Sequence, residues 1–230
     1  MSWVGFWDKI ADDNYKKYHL KNMQTFIKKS RKIMDYNKND KILDVGCGAG
    51  YLQQLLKDKT REIYGLDTSK RYIEMCKANF KNAPNLKFFQ INPDNYTNFS
   101  FLGKKKFSKI ICSSVVQYYN SVNDIRNLIT ECKKHALTNC RLIITDLIVN
   151  PKLIPDLIGI IKSSIKDGYL TSLLSVLLSA KTIRYYNFLS RENLLLMSAD
   201  DIDEIAKEFN AGIYKGMTVH SNRLNMVIKF

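Results

Sequence analysis

The chain of 230 residues is predicted to be an α/β protein, a doubly wound and mostly parallel sheet with helices on both faces, and three observations carry that expectation. Short apolar runs alternate with helical patterns, which is how parallel strands and their crossover helices read in a sequence. The segment Lys41-Ile42-Leu43-Asp44-Val45-Gly46-Cys47-Gly48-Ala49-Gly50 joins one such strand to a glycine loop that opens a helix, the geometry in which backbone amides meet a bound ligand. The length suits one domain that buries a core without staples.

Taken in order, residues 6–19 and 20–36 carry Phe6, Trp7, Ile10, Ala11, Tyr15 and Tyr18, then Met23, Phe26, Ile27, Ile33 and Met34, at helical spacing. Two helices are expected: the second packs on the sheet edge, and the first holds more Trp and Tyr than packing requires. Strands follow at 41–43, 62–66, 86–91, 107–113 and 140–147, with helices near 51–58, 69–80 and 121–136. A helix at 202–209 and strands at 213–219 and 224–230 bring the sheet to seven strands. Between strand five and that helix, residues 151–197 insert amphipathic helices rich in Ile and Leu. Their uncharged run at 168–180 is too short for a membrane span, which needs about 20 apolar residues. The greasy side is left to core, to a dimer contact, to an acceptor pocket, or to a membrane surface met through Lys162, Lys166, Lys181 and Arg184.

The spacing of the glycine loop narrows the ligand. A dinucleotide fingerprint wants Gly or Ala where Tyr51 stands. Asp44, two positions ahead of the first glycine, would repel a pyrophosphate and welcome an ammonium. Asp67, at the tip of the second strand, is placed to take both hydroxyls of a ribose. Ribose plus ammonium suggests S-adenosylmethionine, lying where chain order reverses at the strands' carboxyl ends, beside Gly46 and Ser113. Each feature has a plainer reading, the glycines as a tight turn and Asp67 or Ser69 as a helix cap; it is their conjunction that favours a cofactor.

At these residues the chain resembles the class I S-adenosylmethionine-dependent methyltransferases, over roughly residues 41–150. Leu43-Asp44-Val45-Gly46-Cys47-Gly48-Ala49-Gly50 looks like that family's first motif and Gly65-Leu66-Asp67-Thr68-Ser69 like its second. Phe107-Ser108-Lys109-Ile110-Ile111-Cys112-Ser113-Ser114-Val115-Val116-Gln117-Tyr118 is similar to the fourth-strand motif, and Arg141-Leu142-Ile143-Ile144-Thr145-Asp146 to the fifth strand. The resemblance implies a Rossmann-like seven-stranded sheet closed by a hairpin with its last strand antiparallel. It implies cofactor contacts at Asp44, Gly46, Cys47, Gly48, Gly50, Asp67, Thr68 and Ser113, and an adenine-reading residue after strand three, here Asn92 or Asp94. It further implies an N-terminal lid with Tyr15 and Tyr18, and an insertion that closes over the acceptor. Ser108 stands where the family has Asp, a matter of strand entry. No metal is expected, because the sulfonium methyl is already activated. If the acceptor must lose a proton, Asp146, Tyr118 and His220 are the candidate bases.

The domain organisation that follows is a single methyltransferase domain, with lid helices at 1–37, a cofactor core at 38–150, an acceptor cap at 151–197 and a final helix and hairpin at 198–230. A formal charge of +14 raises the question of nucleic acid, yet the lysines are spread along the chain and read as a solvated surface. Ser113-Ser114-Val115-Val116 also stands where nucleic-acid enzymes carry an Asn-Pro-Pro-Tyr or Asp-Pro-Pro-Tyr tetrapeptide. A small, partly apolar acceptor is therefore expected, with an RNA or other nucleic-acid methyltransferase, or a cofactor-binding protein without activity, as the rivals. The five cysteines form no C-x-x-C pair and read as reduced core thiols. With no apolar signal region at the N-terminus, the expected location is the cytoplasm, as monomer or homodimer.

Overall fold

The computed structural model describes residues 16–149, 161–162, 164–165, 168, 170–177 and 194–230, without the side chains of 16–18, 172 and 175–177. Seven strands form one sheet in the order β3-β2-β1-β4-β5-β7-β6: β1 (Lys41–Val45), β2 (Glu62–Asp67), β3 (Leu86–Gln90), β4 (Phe107–Ser113), β5 (Ala136–Leu147), β6 (Gly212–Lys215) and β7 (Leu224–Lys229). The first five run parallel, and β7 is antiparallel to both β5 and β6, as expected for the closing hairpin. The helices are α1 (Lys16–Met34), α2 (Tyr51–Leu56), α3 (Lys70–Asn79), α4 (Val122–Lys134), α5 (Leu170–Leu177) and α6 (Ala199–Glu208).

Strand side chains alternate between the two faces, and both faces are covered, so the strands read as nearly continuous apolar runs. On one face Leu43, Val45, Ile110, Cys112, Leu142 and Ile144 pack with Ile125, Leu128 and Ile129 of α4 and Ile202 and Ile205 of α6. On the other, Ile42, Ile63, Ile111 and Ile143 pack with Phe26 and Met34 of α1, Leu52 and Leu56 of α2, and Ile73 and Cys76 of α3. All five cysteines are buried free thiols, in line with the expected core role. The helix starts are set by local chemistry: Ser121 and Ser198 each form a reciprocal capping box, with Asp124 and Asp201. At the entry of β4, Ser108 donates to Asp40 at 2.7 Å, and Lys109 pairs with the same buried carboxylate at 3.1 Å. Ser108 thus works at strand entry, as expected.

Several boundaries differ from the sequence reading, β5 starting at Ala136 rather than 140 and α6 at Ala199 rather than 202, and two further differences bear on the site. A break at 19–20 was expected, yet α1 runs through it from Lys16; no glycine, proline or capping residue interrupts Lys17-Tyr18-His19-Leu20-Lys21. Strand six was expected to reach residue 219, yet β6 ends at Lys215. Gly216 then turns with φ 64°, and its amide donates to Arg223 O at 3.1 Å, which spends 216–223 on a loop. Within the insertion α5 packs against α1; Leu173 is buried and Leu174 exposed. A parallel bridge between Val149 and Met197 joins the insertion's two ends. Among the described residues no helix is long and apolar enough to cross a membrane.

Candidate cofactor-binding site

Chain order reverses between β1 and β4, and the glycine loop leaves the sheet there. Gly46 and Gly48 both lie in the left-handed region, with φ 78° and 49°, where a Cβ is costly. They differ in what surrounds them. A Cβ on Gly46 would lie 2.2 Å from Cγ2 of Val115, whereas one on Gly48 would meet nothing within 4 Å. Gly46 is therefore demanded by packing, and Gly48 leaves an open cradle. The loop is tied to β2 by amides of Gly46 and Cys47 donating to Leu66 O at 2.7 and 2.9 Å. The amide of Gly48 donates to Asp67 Oδ2 at 2.8 Å and that of Ser69 to Asp67 Oδ1 at 2.9 Å. One carboxylate thus fixes the loop and the start of α3. Ser69 is also the N-cap of α3, its hydroxyl accepting from the amide of Tyr72 at 3.2 Å.

Asp44 sits almost fully buried at the end of β1 and accepts from Gln53 Nε2 of α2 at 3.0 Å. Burial pushes its carboxyl up to about 7; the Gln53 hydrogen bond opposes the rise and the nearby Asp67 charge adds to it. The thiol of Cys47, beside that of Cys76, is pushed up by their mutual hydrogen bond and by burial, so it stays protonated and serves packing. Cys76 Sγ also contacts Gly48 O at 3.3 Å.

The lid positions expected from sequence were Tyr15 and Tyr18. Tyr15 lies outside the described residues, and Tyr18 is in α1 with its side chain outside them. The same helix brings His19 over the loop, its ring stacked on that of Tyr51 with centroids 6.0 Å apart and planes at 14°. Burial holds this imidazole down to about 4, so it is neutral at physiological pH. The expected helix ends at residue 19 and so does not point to His19; the uninterrupted helical pattern across 16–34 is the signal that does.

A second cluster sits at the carboxyl ends of β4 and β5. Ser113 Oγ and Thr145 Oγ1 lie 2.9 Å apart, and the amide of Ser114 donates to Thr145 Oγ1 at 3.2 Å. Asp146 is fully buried; Ser114 Oγ donates to one of its oxygens and Thr218 Oγ1 to the other at 2.6 Å. Ser114 and Asp146 both hold left-handed backbones, φ 60° and 63°, strain of the kind that surrounding structure must impose. The loop at 216–223 is held from several sides. Lys29 of α1 donates to the carbonyls of Gly216 and Thr218, each at 2.8 Å. The amide of Val219 donates to Asn22 at 3.2 Å, and Arg223 Nη1 donates to Gln117 Oε1 at 2.8 Å. His220 lies in this clasped loop, its amide donating to Thr218 Oγ1 at 3.2 Å, and Tyr118 ends a short 3-10 turn, half-buried.

Asp44, the glycine loop, Cys47 and Asp67 therefore share one site, and Ser113 and Asp146 a second cluster across the β1–β4 switch. Thr68 is half-buried, its carbonyl accepting from Gln90 Nε2 at 3.1 Å. Asn92 and Asp94 are exposed beyond β3, where Asn92 Oδ1 closes a turn on the amide of Asp94 at 2.9 Å. Among the described residues no group of three or more His, Cys, Asp or Glu side chains is placed to hold a metal ion.

Comparison with known proteins agrees with this geometry. Residues 42–138 match the family model described as a methyltransferase domain. The ubiquinone biosynthesis O-methyltransferase of Pelagibacter ubique is 34% identical over 98 residues, which cover 42% of this chain and 38% of that protein; the matched segment is thus well under half of that relative's length. A methyltransferase structure from Clostridium acetobutylicum superposes with a TM-score of 0.58 at 14% identity, covering 91% of both chains. Magnesium protoporphyrin IX methyltransferase of Synechocystis, with bound S-adenosylmethionine, superposes with a TM-score of 0.56 at 14% identity, covering 96% of this chain and 84% of that one. At such identities the superpositions establish the fold. The described residues thus share the fold of these methyltransferases, and residues 42–138 match the sequence pattern of a methyltransferase domain.

Proposed function

We propose that the protein transfers a methyl group from S-adenosylmethionine to O, N or C of a small, partly apolar acceptor in the cytoplasm. The observation that carries this reading is the pair of carboxylates flanking the open glycine cradle, Asp44 buried at the end of β1 and Asp67 hydrogen-bonded to the Gly48 amide. The residues fit the cofactor: Asp44 offers an anion to the methionine ammonium, Asp67 is a carboxylate acceptor at the tip of β2 for ribose hydroxyls, and Gly48 leaves the backbone open to close approach. Gly46, Gly50, Cys47, Thr68 and Ser113 would complete the contacts, with Asn92 or Asp94 toward the adenine. The buried free thiols support a reducing compartment.

The bound sulfonium would supply an already activated methyl group, so the protein's task is to hold the acceptor atom about 3 Å away, in line, with water excluded. Ser114, Gln117, Tyr118 and the 216–223 loop with His220 would form the wall on the acceptor side, and the insertion, with Leu173, the cap. Tyr118 and His220 are the groups proposed to receive a proton where the acceptor must lose one. Asp146, also proposed from sequence as a base, has both oxygens engaged by hydroxyls and acts in this reading by holding that wall. Small-molecule acceptors of the relatives support the class: a ubiquinone precursor pathway for the Pelagibacter protein and a magnesium porphyrin for the Synechocystis one, by their names.

Calorimetry with S-adenosylhomocysteine and NAD tests the cofactor, and mass spectrometry of cell extract incubated with S-adenosylmethionine tests the transfer. Micromolar binding of S-adenosylhomocysteine with none of NAD, and an added methyl on a small molecule, are expected. NAD binding without a response to S-adenosylhomocysteine would overturn the reading.

A further inference from the structure

Gln53 of α2 is fully buried, donates from Nε2 to Asp44, and leaves its Oε1 without a hydrogen-bond partner. A buried amide oxygen left unmade costs free energy that an apolar side chain of the same length would not incur. The slot that Gln53 fills exists because residue 65 is glycine. A Cβ there would lie 2.9 Å from Gln53 Nε2, 2.9 Å from Cδ1 of Phe88 and 3.0 Å from Sγ of Cys47.

The other titratable groups that bear on Asp44 come from four directions: the carboxylate of Asp67 at the end of β2, the thiol of Cys112 on β4, the thiol of Cys47 in the loop and the phenol of Tyr36 after α1. The thiols and the phenol are each pushed up, Cys112 and Tyr36 chiefly by burial and Cys47 by its bond to Cys76 and by burial, and so are neutral near pH 7. Asp67 opposes a second negative charge. Within this set, the Gln53 amide alone favours the ionised carboxylate.

We propose that Gln53 is a positioning residue that sets both the affinity and the pH range of cofactor binding, holding Asp44 ionised and aimed at the ammonium of the methionine moiety while its Oε1 offers that ammonium a second acceptor. An ammonium carries three donors, enough to serve both oxygens. The inference rests on the cofactor reading above.

The test is calorimetric titration of the full chain, native and Gln53→Met, with S-adenosylhomocysteine and with 5′-methylthioadenosine, which keeps adenine and ribose but lacks the amino-acid end. The series runs through neutral pH. The expected result is a loss of about tenfold in S-adenosylhomocysteine affinity for Gln53→Met at pH 7, with its pH profile displaced upward by about one unit, while methylthioadenosine binds both proteins alike. Gln53→Leu, a differently shaped apolar replacement, serves if Gln53→Met does not fold. An unchanged S-adenosylhomocysteine profile in a folded variant would overturn the inference, as would equal losses for both ligands, which would reduce Gln53 to packing. If the native protein fails to bind S-adenosylhomocysteine, the cofactor reading falls, and the inference with it.

Discussion

On the β1–β2 side of the switch point, the groups proposed to meet the cofactor come from one strand–loop–helix–strand unit, Asp44 through Gln53 to Asp67, and most of the work is done by backbone: three glycines at positive φ and amides turned toward one carboxylate. On the β4–β5 side, the Ser114–Asp146–Thr218 clasp draws on three separate segments, and Lys29, which secures the same loop, is 189 residues from Thr218. The first region stores its information locally and is built to leave a gap at Gly48. The second is assembled by side chains across the fold and is built to leave none. Damage to the first should therefore appear as lost binding, and damage to the second as lost stability.

The glycine pair breaks that comparison most sharply if it is wrong. Gly46 belongs spatially to the closed region, since a Cβ there overlaps Val115; Gly46→Ala should cost about 3 kcal/mol, combining overpacking with a left-handed alanine. Gly48→Ala meets only open space and should cost about 1 kcal/mol of stability, yet weaken S-adenosylhomocysteine because its methyl enters the cradle. Chemical denaturation and calorimetry on both variants read the two quantities. Equal effects of the two alanines on binding would erase the distinction.

Asp146→Ala should cost about 2–3 kcal/mol, because it strips a buried acceptor from two hydroxyls and leaves an alanine at positive φ. Asp146→Gly, which relieves the backbone but not the hydroxyls, should recover about 1 kcal/mol of it. Denaturation midpoints decide between them, and a neutral Asp146→Ala would mean that the clasp stabilises nothing.

The two regions differ as much in how they read from sequence. Asp44, Gly46 and Gly48 were legible because one strand-to-helix turn fixes their spacing, and Asp67 because it stands at the tip of the next strand, 19 residues past Gly48. The parallel strands were legible for a similar reason, since strands covered on both faces leave unbroken apolar runs, whereas the closing hairpin with its antiparallel last strand followed from the resemblance to the family. The clasp was not. Asp146 was marked as a candidate base, but nothing in Thr145-Asp146-Leu147 announces that Ser114 and Thr218 will close on it, since a partner 72 residues away leaves no local pattern. The end of β6 was missed because Gly216 was read as part of a strand. His19 was missed because a helix end was expected at 19–20, where the sequence contains no stop signal.

A smaller effect sharpens the local region. Asp44 titrates higher in the folded protein, at about 7, than in an unfolded chain. Folding therefore favours its protonated form: that contribution to stability is full below the ordinary carboxylate range near 4 and is lost as pH rises toward about 7. The melting temperature of the ligand-free protein should fall across that window, and Asp44→Asn should flatten the fall. The thermal shift given by S-adenosylhomocysteine should grow over the same range, as the carboxylate becomes available to the ammonium. A ligand shift that does not vary with pH would remove Asp44 from the cofactor contacts.

The most direct measurement is titration of S-adenosylhomocysteine into the native protein, Asp67→Ala and Asp146→Ala, alongside their denaturation curves. Asp67→Ala is expected to stay folded and to lose roughly 1.5–3 kcal/mol of binding, the worth of charge-assisted hydrogen bonds to the ribose. Asp146→Ala is expected to lose stability while binding the ligand within about threefold of native. A folded Asp67→Ala with unchanged affinity would reduce Asp67 to a clamp on the Gly48 and Ser69 amides and contradict the assignment of the glycine cradle as the cofactor site.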